Sequence, residues 1–476
     1  MDTMIPGAPS RDAARMDPVG ETIARRLARF AVGLRLADVP APVVERAKLH
    51  ILDGIGIALA SRSFDFAQRT LRALRALGGD GRHVVIGGAP RLNLRDAIHA
   101  NGTLVHGLDF DDTHGPAVVH VTAAALPTAL GAAVEHGASG AGMLEAYLVS
   151  VETAARIGAA ARGGFHLVGF HPTGMVNVFG SVLASGRLAG LDEMRLAHAQ
   201  GIALSMAAGS LEFLHDGAWT KRQHPGWAGV AGVTASALAR EGFEGPTLPY
   251  EGRYGLYAMY MRPDAARDLE TATADLGEAW EMRRVALKPY PCCHFNHAFA
   301  DATLALMNAH GLRAEQVRRV RALIGAGQVG VVCEPEAAKR RPANAYEAQF
   351  SVHHAIAATL VHGRFTLAEL EPEATGDPRI EELRQRIAYE IDPDSAYPRF
   401  YSGEVIVETA DGRVLRHREA VNRGADERPL AADEILAKFH ANAERTVAPA
   451  HASRIADAVL SLDRLARAAT LADVLG

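Results

Sequence analysis

Four short stretches cluster side chains able to move a proton or grip an anion. "HGLDFDDTHGPAVVH", residues 106–120, puts three aspartates and three histidines within fifteen positions. Crowded carboxyls raise one another's pKa, so such a set can hold or accept a proton near neutrality. Continued as helix from Val105 to Thr113, the stretch would place His106, Asp109 and Asp112 at i, i+3 and i+6, with Thr113 one turn beyond Asp109. "GFHPTG", residues 169–174, sets His171 and Thr173 in a Gly/Pro loop ahead of an apolar helix. The first N–H groups of such a helix suit a carboxylate, and Thr173 is equally an N-cap candidate. "HDGAWTKRQHPGWAGVAG", residues 215–232, brackets Lys221, Arg222 and His224 with two tryptophans. "KPYPCCHFNH", residues 288–297, adds Lys288, two cysteines, His294 and His297.

Of the 50 basic residues only five are lysine, and two of those five, Lys221 and Lys288, fall in these stretches. Arginine keeps its proton in a protein, whereas a desolvated lysine can release one or clamp a carboxylate. Acid/base groups beside cations suit a substrate carrying several carboxylates. Removing a proton next to a carboxylate builds negative charge that cations and N–H groups stabilise. That is the chemistry of lyases and epimerases. Cys292, Cys293, His294 and His297 could ligate zinc, but their spacing matches no common zinc pattern. The three cysteines are an odd, partly adjacent set, which argues against a disulfide framework and fits a cytoplasmic location. A P-loop and a GxSxG elbow are both missing. The net charge of −5 and the lack of a basic block leave no footprint for nucleic acid. No apolar run is long enough for a membrane span.

These stretches need a scaffold. From about residue 20 to 284 the chain reads as apolar helices rich in Ala and Gly, the pattern of helices buried in a large bundle. Beyond residue 284 the style changes. "RRVALKPY" and "VRRVRALIGAG" read as strands, while "HAFADATLALMNAHG", "AQFSVHHAIAATLVHG" and "PRIEELRQRIAYEI" read as helices. "SGEVIVETADGRVLRHREAV" reads as a hairpin turning at Asp411-Gly412 with type I′ chemistry. From about residue 428 the text is helical again. The expectation is a mainly α protein. A flexible tail covers 1–19, a helical domain is built from 20–284 and 428–476, and an α+β lid domain spans 285–427.

Taken together, "HGLDFDDTH" with the following "VVH" and "LP", "GFHPTG", "DGAWTKRQHPGWA", "KPYPCCHFNHAFADA" and "YEAQFS" resemble the MmgE/PrpD family. The resemblance spans about residues 20–445, with the motifs in order. It implies a helical domain from both chain ends, an inserted lid, a homodimer and no metal or organic cofactor. The family's activities include 2-methylcitrate dehydration, cis-aconitate decarboxylation and iminodisuccinate epimerisation. By the same resemblance Asp109, Thr113, His120, Lys221 and Lys288 fall on catalytic positions, and His171, His224 and His297 on pocket positions. Arg222 is added as a substrate-binding cation. Gln349 stands where many relatives carry a lysine. The resulting expectation is a hydro-lyase acting on a 2-methylcitrate-like acid, with a decarboxylase or epimerase as the alternative. Two other readings use the same residues: a Mg²⁺ site at "DFDDTH", as in helical prenyl-diphosphate enzymes, and a non-catalytic dimer that binds a small anion.

Overall fold

The computed structural model describes residues 21–424 and 426–476, so the expected tail at 1–19 lies outside the described residues. Five helices make the centre: Ala41–Ser61, Thr122–Glu135, Gly140–Ala160, Asn177–Leu188 and Thr220–Arg240. Asn177–Leu188 lies against three of them, Thr122–Glu135, Gly140–Ala160 and Thr220–Arg240. They are apolar nearly all round, and each is buried along most of its length. Small residues allow the close crossings this requires. A Cβ on Gly226 would lie 2.4 Å from the carbonyl oxygen of His99, and one on Gly102 would lie 2.5 Å from the Cα of Gly226. The helix Leu94–His106 therefore meets Thr220–Arg240 backbone to backbone. From the far end of the chain, Ala432–Ala443 and Pro449–Leu460 pack on Ala41–Ser61.

The α+β part holds a four-stranded sheet. Its strands β3 (Val317–Ile324), β4 (Ile387–Ile391), β5 (Gly403–Thr409) and β6 (Val414–Glu419) stand in the order β4-β3-β5-β6, with only the β3/β4 pair parallel. The helix His297–His310 packs on β5 and β6, and Val352–His362 packs on it in turn. A separate two-stranded pairing joins β1 (Thr113–His114) to β2 (Val285–Ala286), antiparallel, with Thr113 opposite Ala286.

Several expectations change. "PRIEELRQRIAYEI" is helix only to Gln385, and its second half is β4, where parallel bonds to β3 outweigh helix propensity. "RRVALKPY" contributes only β2, because prolines 289 and 291 offer no N–H to a ladder. The hairpin turn is not type I′, which needs positive φ at both central residues. Only Gly412 is left-handed, at φ 88°, and Arg413 bonds back to Thr409. The helix Thr220–Arg240 takes in the Lys221-Arg222 stretch and carries Pro225 inside it.

Candidate active site

The helix Leu94–His106 is capped by Asn93 and ends at His106, so the continuous helix expected through Thr113 does not form. The chain instead turns through Asp109 at φ 51°, a left-handed conformation that costs a non-glycine residue about 1 kcal/mol or more. Side chains from four distant segments hold this turn by its carbonyl oxygens. Arg222 Nε donates to Gly107 at 2.8 Å, and Gln349 Nε2 donates to Leu108 at 2.5 Å. Lys288 Nζ donates to Asp109 at 2.8 Å, and Lys438 Nζ donates to Phe110 at 3.0 Å. Four consecutive buried carbonyls thus find four charged or amide donors, which meets the demand that buried polar groups be paired. The β1/β2 pairing then fastens Thr113 beside the strand that leads to Lys288.

The Asp109 side chain is buried and faces two ammonium groups. Lys221 Nζ bonds Oδ1, and Lys288 Nζ lies 3.4 Å from Oδ2. Burial alone would push this carboxyl up, but the two lysines outweigh it and hold Asp109 well below the usual carboxylate range. One carboxylate shared by two ammonium groups leaves a surplus of positive charge. Lys221 stands on the first turn of Thr220–Arg240, where Pro225 has no N–H to offer the Lys221 carbonyl.

His120 stands beside this group. Its Nδ1 is 2.7 Å from the carbonyl oxygen of Asp112. A carbonyl only accepts, so Nδ1 carries the hydrogen and the Nε2 lone pair is left free. The Oγ of Thr113 is 3.5 Å from the same Nδ1. The backbone of His120 is fixed on both sides. Its N–H donates to Thr173 Oγ1 at 3.1 Å, and its carbonyl accepts from Asn177 Nδ2 at 2.9 Å. Thr173 therefore orients His120 rather than capping a helix, and the short helix Pro172–Met175 has no side-chain cap. Burial, reinforced by His106, Lys288 and Lys221, lowers the proton affinity of His120 well below that of an ordinary histidine.

Of the predicted residues, Asp109, Thr113, His120, Lys221 and Lys288 thus meet in one buried cluster. His171 and His224 adjoin it. Their Nδ1 atoms are 2.9 Å apart, and the His171 ring lies 6.1 Å from that of His120. Burial, aided by His106 and Lys221, brings His224 down to about 4. A surface cavity of about 640 Å³ lined by Gly209, Phe213, Gln223, His224 and Trp227 reaches the cluster's edge at His224. Arg222 lies on the other side of the turn, with its guanidinium 4.7 Å from the rings of both Phe66 and Tyr346. His297 sits behind Lys288, its Nε2 3.2 Å from the Cys292 carbonyl and its ring 4.5 Å from that of His294.

Three residues take part in ways the sequence did not assign to them. Lys438, on a helix near the chain end, bonds the carbonyls of Phe110 and Lys288 and the carboxylate of Asp53. Its one sequence signal was the rarity of lysine. Gln349 bonds Leu108 and Pro291, and its own carbonyl accepts from Cys293 and Asn296, so it ties two motifs together. His106, with Nδ1 2.8 Å from Asp111, faces His120 at a ring separation of 4.7 Å. The ligand set considered at Cys292–His297 does not assemble. Among the described residues, three donor atoms come within reach of one ion only at His106, His120 and His171.

Over 462 residues the chain is 26% identical to the cis-aconitate decarboxylase-like protein oryM of Aspergillus oryzae, covering 94% of this chain and 95% of that one. It is 26% identical to the cis-aconitate decarboxylase of Aspergillus terreus, covering 95% and 96%, and 26% identical to that of Mus musculus, covering 89% and 87%. Residues 25–268 match the MmgE/PrpD N-terminal domain and residues 290–464 the MmgE/PrpD C-terminal domain, and the chain belongs to the MmgE/PrpD family.

Proposed function

We propose that this protein is a lyase that transfers a proton at a carbon next to a carboxylate of a small di- or tricarboxylic acid, with loss of CO₂ as the favoured outcome. The observation that carries the reading is the pair of lysines on one buried carboxylate beside a neutral imidazole with a free Nε2. The curated relatives, similar over nearly the whole chain and named as decarboxylases, favour decarboxylation over the dehydration expected from sequence.

In this reading Lys221 and Lys288 grip substrate carboxylates with the positive charge that Asp109 leaves uncompensated. The C–C bond to the departing carboxylate breaks, CO₂ leaves, and the electron pair spreads toward a remaining carboxylate, where the ammonium groups stabilise it. His120 supplies the proton that closes the sequence. Its low proton affinity when empty makes the loaded imidazolium a strong acid toward carbon. A bound polyanion offsets the lysines and so helps His120 take up that proton from solvent. The Asp112 carbonyl holds the ring, with Thr113 beside it, and Thr173 holds the His120 backbone. Substrate enters past His224. The assembly is a homodimer that needs no metal or organic cofactor for this chemistry.

Proton NMR in D₂O tests the proposal with cis-aconitate, citrate, 2-methylcitrate and iminodisuccinate. The expected result is CO₂ release from an unsaturated tricarboxylate with deuterium incorporated next to a carboxylate, abolished by Lys288→Met and by His120→Ala. Water loss without CO₂ would assign the hydro-lyase instead. A folded protein that exchanges no carbon-bound hydrogen in any of these acids would defeat the reading.

A further inference from the structure

We propose that His106, His120 and His171 form a binding site for one divalent transition metal of the zinc type, and that occupancy silences the proton-transfer site. Each ring has Nδ1 committed to a neighbour: His106 to Asp111 at 2.8 Å, His120 to the Asp112 carbonyl at 2.7 Å, and His171 to His224 at 2.9 Å. Metal-binding imidazoles are typically held this way, by a carboxylate or carbonyl on the far nitrogen that fixes the ring and its tautomer. That leaves three Nε2 atoms. The Nε2 of His106 is fully buried with no partner, and so is Oδ1 of Asp111 behind it. Buried polar atoms left unpaired in this way call for an explanation.

The spacing fits an ion. One donor atom from each histidine lies within 4.8 Å of the other two. The ring centroids are 4.7, 5.7 and 6.1 Å apart. Three imidazoles bound at about 2.0–2.1 Å around a tetrahedral ion have ring centres on the order of 5 Å apart, so small side-chain rotations close the site. A three-histidine set leaves a fourth position for water or a substrate oxygen. Nitrogen donors select zinc, copper, nickel or cobalt over magnesium and calcium. The surplus positive charge of Lys221 and Lys288 on Asp109 opposes the ion, and the Asp111 carboxylate behind His106 offsets it. Occupancy takes the one lone pair that His120 would use to carry a proton. Only this inhibitory half rests on the proposed function.

Cobalt serves as the probe, because four-coordinate Co²⁺ absorbs in the visible. Titration of the full-length protein is expected to give one band saturating at one equivalent, without the intense charge-transfer absorption of thiolate ligation. The band should vanish in His106→Ala and in His171→Ala, and persist in the Cys292→Ser/Cys293→Ser double variant. Asp111→Asn should keep the band with affinity weakened about 10- to 100-fold. Circular dichroism on each variant confirms the fold. No band in the wild-type protein, a band surviving His106→Ala, or one lost only with the cysteines would overturn the site. Zinc is further expected to reduce turnover in step with occupancy and EDTA to restore it; full turnover at full occupancy would overturn the inhibitory role. A protein inactive on every acid yet giving the histidine-dependent band would refute the proposed function and leave the metal site standing.

Discussion

At the scale of single residues, the site depends on how burial and charge divide protons between Asp109 and His120. Two lysines keep Asp109 anionic, while burial keeps His120 neutral far into acid. The first prediction follows from the sign of the His120 shift. Because its proton affinity is depressed, kcat/KM should show no inflection at the ordinary histidine value within roughly pH 5 to 8. An alkaline limb centred near 6.5, where a proton donor would be lost, would show that the essential group is an unperturbed histidine. A second prediction concerns Asp109→Asn. The amide leaves both lysines without their counter-ion, so kcat should fall by roughly a hundredfold or more while the lysines still bind carboxylates. Unchanged kcat with only a raised KM would remove Asp109 from the chemistry. The aspartates, histidines and two lysines were legible because they crowd into short stretches of an Ala- and Arg-rich chain. The roles of Gln349 and Lys438 were not, because what they recognise is a backbone carbonyl, and every residue has one.

At the scale of elements, the turn at Asp109 is a loop held from outside. Arg222 and Gln349 on two helices, Lys288 in the loop after β2 and Lys438 on a helix near the chain end each send one donor to it. Lys438 supplies the third prediction. Its ammonium is buried over the Phe110 ring, 3.7 Å from the centroid, and paired with Asp53, whose carboxyl burial raises to about 6. Lys438→Met should destabilise the protein by about 3–5 kcal/mol, since it strands a buried partner. Lys438→Met with Asp53→Asn should recover part of that stability. It should not recover kcat, expected to stay down by roughly tenfold, because Phe110 and Lys288 remain unheld. Parallel recovery of stability and kcat would make Lys438 a structural residue only. The fourth prediction is at the helix crossing. Gly226→Ala drives a methyl into His99 and should cost about 1–3 kcal/mol by overpacking, with kcat lowered because Lys221 rides on the same helix. The helices of the bundle were readable from periodicity. The end of Leu94–His106 was not, since nothing local forbids another turn through Asp109; the distant donors decide it.

At the scale of the whole molecule, many histidines are buried with depressed proton affinity. Burial brings His294 to about 3 and His353 and His354 to about 4, and pushes His50, His120, His171 and His297 down as well. Between the unfolded value near 6.5 and these lowered values the unfolded chain binds more protons than the folded one. Stability is therefore full above about pH 6.5 and drains as pH falls. Each such histidine contributes about 1 kcal/mol of loss between roughly pH 7 and 5.5. Glu152, raised to about 7, and Asp53 act in the opposite sense and return only about 2 kcal/mol over that range. The fifth prediction is a melting temperature that falls steadily from about pH 7 to 5.5. A flat or rising midpoint would contradict the burial of these rings. Among the described residues no helix is long and apolar enough to cross a membrane.

The sequence by itself determined the chemistry available and the class of scaffold. Residue type sets proton affinity and charge, and the 3.6-residue apolar period marks buried helices whatever their partners. Only the tertiary structure decided which groups meet. The turn at Asp109, the pairing of β1 with β2 and the capture of four successive carbonyls join segments as much as 328 positions apart, from Phe110 to Lys438. Such contacts are fixed by burial, where an unpaired polar group is too costly to leave alone, and that demand belongs to the packed interior rather than to any local stretch of chain.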